Sequence, residues 1–223
     1  MLRPEEATVY IVGCAGTLGL DIARGFVQEG TQRIGLVCAD TESGERAAEQ
    51  VRSMAPGLWS LSSAADPADL PAVLRATAEL GAALGPANIV VQLLGGSGRS
   101  RDEALPVPRQ LDEMINISRA ALPHMRADAG GAIVAVTAGD SDGDVPGRAG
   151  AAADVTAAAI AFTRTLDMAV EPDGVRVNLV IPESRGRQSG VEVAELVRSC
   201  CRADTAGRGP DGQAEQAGRS RNR

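Results

Sequence analysis

The chain has 223 residues, 44% of them apolar but only 2% aromatic, enough for one substantial core and short for two. A formal charge of −7 argues against nucleic acid as a partner, and no apolar run approaches the roughly 20 residues of a membrane span. All 22 basic residues are Arg, and the sequence contains no Lys. Cys14, Cys38, Cys200 and Cys201 show no C-x-x-C spacing. The first two fall in a predicted core, and the first strand begins too near residue 1 to leave room for a signal peptide. These features predict a soluble protein of the reducing cytoplasm.

Residues 8–30 (TVYIVGCAGTLGLDIARGFVQEG) read as a buried strand, a turn with glycines at 13, 16 and 19, and an amphipathic helix. Glycine permits positive φ and removes the Cβ, so backbone can approach a phosphate, and a helix N-terminus offers free N–H groups to it. Residues 33–39 (RIGLVCA) form a second strand closed by Asp40, a context that predicts a dinucleotide-type fold. Helix 42–54 and strand 58–62 follow. A helix then runs from Asp66 or Pro67 to about Leu84, with Leu70, Val73, Leu74, Ala78 and Leu80 on its apolar side. Residues 88–94 (NIVVQLL) are an uninterrupted apolar run, as expected of a strand covered on both faces.

After a loop at 95–108, residues 109–128 read as helix with a break near Asn116, and 132–137 (AIVAVT) as strand. A Gly/Asp/Pro loop leads to an Ala-rich helix at 150–171, strand 175–181 and a last helix at 191–201. The alternation predicts an α/β chain, a Rossmann-type doubly wound parallel sheet of about six strands. Residues 1–203 form that domain. Residues 204–223, Gly- and Arg-rich without apolar periodicity, are expected to be a disordered tail.

Over about residues 8–200 the chain resembles the short-chain dehydrogenase/reductase (SDR) family. The resemblance rests on the glycine turn, RAALPHMR at 119–126, GGAIVAV at 130–136, FTRTL at 162–166 and GVRVNLVIP at 174–182, which is close to the family's sixth strand. It implies NAD(P)-binding and an oxidoreductase chemistry carried by Ser, Tyr and Lys. Anchoring on AIVAVT places Ala138 at the serine; counting back from FTRTL places Ala152 at the tyrosine and Thr156 at the lysine. An alanine methyl transfers no proton. The sequence has one tyrosine, Tyr10 in the first strand, so the family's tyrosine–lysine catalysis is excluded. Asn116 alone matches the family tetrad, either as the residue holding a relay water or as a helix-break residue bonding local backbone.

The candidate cofactor contacts are Gly13, Gly16, Leu18 and Gly19 of the turn, Asp40, and Gly95. The G-x-x-G-x-x-G spacing departs from the family's usual turn and resembles the extended branch. Asp40 is either an acceptor for an adenosine ribose hydroxyl, which favours NAD over NADP, or a strand-end turn residue. Ser63 stands where the family has an aspartate near the adenine, and QLLG at 92–95 replaces N-N-A-G, with Leu93 and Leu94 bulky enough to crowd a cofactor. Against the family pattern the helix between Asn116 and Arg119 is about two turns short, and the substrate lid shrinks to 183–190. The closing strand is missing, so the fold is truncated at its C-terminal end.

Other chemistry finds little support. Asp140, Asp142 and Asp144 resemble a calcium loop, but Val145 and Ala151 occupy its glycine and last carboxylate positions, so a solvated acidic loop and no metal are expected. His124 reads as structural, Ser97 lacks the closing glycine of a nucleophile elbow, and Cys200–Cys201 as one buried and one peripheral thiol. The leading expectation is a catalytically inactive SDR-like subunit (a pseudoenzyme), with NAD bound weakly or not at all. It would pair as a homodimer, or as a heterodimer with an active SDR-family reductase, through the small residues of 150–171. The alternatives are a divergent NAD-dependent oxidoreductase, its acid drawn from 98–101 or the aspartates of the 140s, and an NAD-sensing module.

Overall fold

Strands that read as continuous apolar runs are here the middle strands of one sheet. The computed structural model describes residues 5–14, 16–94, 107–127, 130–137, 148–182 and 189–202, by backbone only at 148–152 and 202. It contains β1 (Thr8–Val12), α1 (Thr17–Gln28), β2 (Arg33–Cys38), α2 (Thr41–Arg52), β3 (Trp59–Ala64), α3 (Leu70–Leu84) and β4 (Ile89–Leu93). There follow α4 (Val107–Ala127), β5 (Gly131–Val136), α5 (Arg148–Val170), a 3-10 turn (Glu171–Asp173), β6 (Val175–Val180) and α6 (Gly190–Arg202). The six strands pair in the order β3-β2-β1-β4-β5-β6, and every pairing is parallel. This is the expected Rossmann-type doubly wound sheet. β6 is its edge strand among the described residues.

Alternation along each strand sends side chains to two cores. Val9 and Ile11 of β1, Ile34 and Leu36 of β2, and Val91 of β4 face Ile22 and Phe26 of α1, Ala48 and Val51 of α2, and Val193 and Val197 of α6. Tyr10, Val12, Val90 and Ile133 face the opposite layer, with Val73 and Leu80 of α3 and Ile117 and Ala121 of α4. Burial of β1, β4 and β5 along their whole length is what a parallel sheet between two helical layers requires. Edge strand β3 instead alternates exposed and buried at its start, Trp59 out and Ser60 in.

Three sequence expectations are corrected. α3 begins at Leu70 rather than Asp66 or Pro67, because Asp69 caps it by accepting from Ala72 N at 3.3 Å, while Asp66 closes a separate turn onto Ala68 N at 3.0 Å. Its buried stripe is Ala72, Val73, Ala76, Leu80 and Leu84; Leu74 is 47% exposed and Ala78 lies outward with it. α4 runs through Asn116 without a break. The Asn116 amide donates to Pro67 O of another segment at 3.1 Å and so does not compete with its own helical backbone. α6 begins on a reciprocal cap in which Glu192 Oε2 accepts from Ser189 N at 2.7 Å and Ser189 Oγ from Glu192 N at 3.3 Å.

Candidate functional site

β1 delivers its chain to α1 on one face of the sheet and β4 delivers its chain toward α4 on the other. The divergence makes the carboxyl ends of these neighbouring strands the topological switch point, where open α/β sheets bind ligands. The glycine turn lies there. Gly13 N donates to Val37 O at 2.9 Å, its φ is +81°, and a Cβ on it would lie 2.8 Å from Leu93 O. Only glycine fits. A Cβ on Gly19 would lie 2.8 Å from Cys14 Cα, so the first turn of α1 presses on the chain that leads into it.

Gly16 differs from both. It is the extended N-cap of α1, and among the described residues no side chain caps the helix and nothing lies within 4 Å of where its Cβ would be. An uncapped helix N-terminus behind open space is a fit for an anionic phosphate. Leu18 is half-buried and packs on the core beneath, so it supports the turn.

Asp40 stands at the end of β2 and starts the next helix. As N-cap of α2 it accepts from Ser43 N at 2.8 Å and from Ser43 Oγ at 2.6 Å. These bonds, the hydroxyl's first, hold its carboxyl below the usual range, so the exposed side chain keeps a negative charge beside the end of β2. Ser63 Oγ donates to Glu79 Oε2 at 2.7 Å. Leu93 and Leu94 are buried in the core.

Of the three positions matched by sequence to the family's serine, tyrosine and lysine, only Thr156 is described with its side chain. Thr156 is a half-buried hydroxyl on α5. Ala152 falls on the backbone-only part of that helix; Ala138, Gly95, Ser97, residues 98–101, the aspartates of the 140s, most of 183–190 and residues 204–223 lie outside the described residues. Tyr10 is buried in β1, its phenol donating to Gly85 O at 2.8 Å beyond the C-terminus of α3. That is the opposite end of the sheet from the glycine turn, and burial pushes the phenol up to about 12. Asn116 is buried and committed to Pro67. His124 is exposed near the end of α4; Cys201 is buried and Cys200 partly so.

A set of buried polar groups escaped the sequence reading. Glu113 is 1% exposed on α4, and its Oε1 has no hydrogen-bond partner among the described residues. Arg109, one turn earlier, binds both carboxylate oxygens of Asp66 at 2.7 Å and leaves its Nε 3.7 Å from Glu113 Oε1. Burial pushes the Glu113 carboxyl up to about 7, with Asp66 adding to the shift and Arg109 opposing it. Gln92 Nε2, Thr137 Oγ1 and Thr163 Oγ1 are likewise buried without partners among the described residues. Gln92 and Thr137 alternate with Val90 and Ile133 and so face the α3–α4–α5 layer. The available signal was helical spacing, since Glu113 stands four residues before Ile117 on the apolar stripe of α4.

The family model for short chain dehydrogenase matches residues 7–185. The chain belongs to the short-chain dehydrogenase family. No curated protein matches it in sequence. Among solved structures it is similar to a short chain oxidoreductase from Pseudomonas aeruginosa PAO1 containing an atypical catalytic center, at 25% identity and a TM-score of 0.66, over 81% of this chain and 71% of that one. L-Sorbose reductase from Gluconobacter frateurii, solved with NADPH and L-sorbose, is 27% identical with a TM-score of 0.62, over 79% and 69%. 3-Ketoacyl-(acyl-carrier-protein) reductase from Brucella melitensis, solved with NADH, is 19% identical with a TM-score of 0.71, over 89% and 91%, a likeness of fold alone. None of the described helices of this SDR chain is long and apolar enough to cross a membrane.

Proposed function

We propose that this SDR chain is a non-catalytic subunit that keeps the family's nucleotide cradle and pairs with another SDR subunit, either a second copy or an active reductase. The observation that carries the reading is the fate of the acid. The sequence has no Lys, and its one tyrosine is spent on Gly85 O inside the sheet. Bound NAD supplies a hydride in this family. Here the backbone of Gly13, Gly16 and Gly19 would hold its pyrophosphate, and the Asp40 charge would favour a ribose hydroxyl over a 2′-phosphate. The nucleotides in the related structures support that use of the cradle.

Pairing is supported by α5, where Ala153, Ala157 and Ala161 are exposed one turn apart and Met168 is 74% exposed beyond them. Such a strip allows close helix approach. The test is light scattering on the protein alone and co-expressed with an intact SDR reductase, together with a turnover assay over a panel of carbonyls. A monomer in both settings contradicts the pairing.

A second reading, a divergent oxidoreductase, is favoured by Glu113. A carboxyl titrating at about 7 is half protonated near neutral pH, as a general acid needs. The atypical catalytic center of the Pseudomonas relative gives that reading a precedent within the fold. Turnover that is abolished by Glu113→Gln would establish it in place of the first.

A further inference from the structure

The function proposed above makes no use of two thiols that the glycine turn brings together. β1 and β2 run in parallel register from Thr8↔Arg33 to Val12↔Val37, so the residues just past that ladder, Gly13 and Cys38, stand side by side and Cys14 follows. The Gly13 N–H on Val37 O holds the turn against β2. Cys14 Sγ lies 2.7 Å from Cys38 Sγ and 3.9 Å from Val37 O, and both side chains are 1% exposed. Gly19 leaves room for Cys14, since a Cβ there would meet Cys14 Cβ at 2.9 Å.

Two sulfurs at this separation are well inside ordinary van der Waals contact and about 0.7 Å from a disulfide bond length of roughly 2.05 Å. They are too close to be a metal's ligands, because thiolate bonds of about 2.3 Å set tetrahedral sulfurs roughly 3.8 Å apart. Among the described residues no group of three or more His, Cys, Asp or Glu is placed to hold a metal. We propose that Cys14 and Cys38 are a redox modification site, forming a reversible disulfide across the glycine turn when the protein meets a hydroperoxide.

Either sulfur can donate in this contact; with Cys14 as the donor, the bond favours Cys38 as the thiolate and raises the Cys14 thiol well above its usual range. The Cys38 thiolate attacks the near peroxide oxygen, the O–O bond breaks, and the departing hydroxide takes the Cys14 proton and leaves as water. Cys14, now a thiolate, attacks the sulfenic sulfur of Cys38. The S–S bond forms, the S–O bond breaks, and the second hydroxide takes a proton from solvent, the one Cys38 gave up on ionising. Two thiols and one peroxide thus become one disulfide and two waters, each sulfur losing one electron. Cys200, whose burial raises it above the usual thiol range, serves as an internal control.

The experiment uses the full chain, reduced, freed of reductant and treated with hydrogen peroxide alone. After quenching, the protein is unfolded, alkylated and mapped by peptide mass spectrometry. The expected result is that two of the four cysteines are protected, that the peptides containing Cys14 and Cys38 are joined and lighter by two hydrogens, and that dithiothreitol restores all four. Cys14→Ala is expected to leave a sulfenic acid at Cys38 that a dione reagent traps; a folded variant without that adduct overturns the assignment of Cys38 as the attacking thiol. If the variant does not fold, the map of the unaltered protein decides. Cys14 and Cys38 both still alkylatable, oxidised singly without joining, or joined to Cys200, Cys201 or another copy overturn the proposal.

Discussion

Replacing Glu113 by Gln removes one buried titration and leaves the shape of the side chain nearly unchanged. The carboxyl moves from an ordinary 4.5 to about 7 in the folded chain, because burial penalises its charged form. The native state therefore binds this proton more tightly than the unfolded chain. Its contribution to stability is fully present below the unfolded value and is lost as pH rises through the folded one. Between those values the slope is about 1.4 kcal/mol per pH unit, so the whole window amounts to about 3 kcal/mol. The value of about 7 already includes the opposing pull of Arg109 and the push of Asp66 on the carboxylate. At pH 5 the variant should match the natural protein within about 1 kcal/mol. At pH 8 it should be the more stable by up to about 3 kcal/mol, a rise in Tm of roughly 6–12 °C for a chain of this size. Urea unfolding of both proteins at pH 5, 6.5 and 8 measures this. A difference between them that stays flat from pH 5 to pH 8 would refute the buried, near-neutral carboxyl.

Asp40→Ala should cost about 1 kcal/mol in thermal unfolding by removing the cap on α2, and calorimetry should show the NAD-over-NADP preference narrowing; tight NADP binding to the unaltered protein contradicts that use of Asp40. Asn116→Ala leaves Pro67 O without its buried donor and should cost about 1–3 kcal/mol in denaturant unfolding; an unchanged midpoint would mean the bond contributes nothing. Ala161→Arg, at an exposed position of α5, should lower the mass by light scattering to that of a monomer with the circular dichroism spectrum intact; a dimer that survives it moves the interface elsewhere.

The sheet was legible because buried parallel strands read as unbroken apolar runs, and NIVVQLL became β4 with all five of its residues buried. The stripe of α3 was misread because Ala72 and Ala76 weigh little beside Leu74, although the narrow space against the sheet takes the small side chains and turns the leucine outward. Asn116 read as a helix breaker, since a sequence does not show that the partner for its amide lies 49 residues away. At the site, the glycines at 13 and 19 were legible because positive φ and a missing Cβ are properties of the residue itself. Glu113 was not, because an acid between Asp112 and Met114 looks like a surface residue until its spacing to Ile117 is counted. The Cys14–Cys38 contact was out of reach, as the pair is 24 residues apart and meets only through the register of β1 with β2 and the turn that follows.

The central claim, a nucleotide cradle without a proton donor, is tested most directly by single-turnover absorbance at 340 nm. The purified chain in excess over NADH is mixed with a panel of ketones and aldehydes across pH 5 to 9. The account predicts that calorimetry on the same preparation gives a NADH binding heat, while the nicotinamide absorbance decays no faster than in protein-free buffer at any pH. Decay that depends on protein and carbonyl, and that disappears on substituting a residue of this chain, would contradict it.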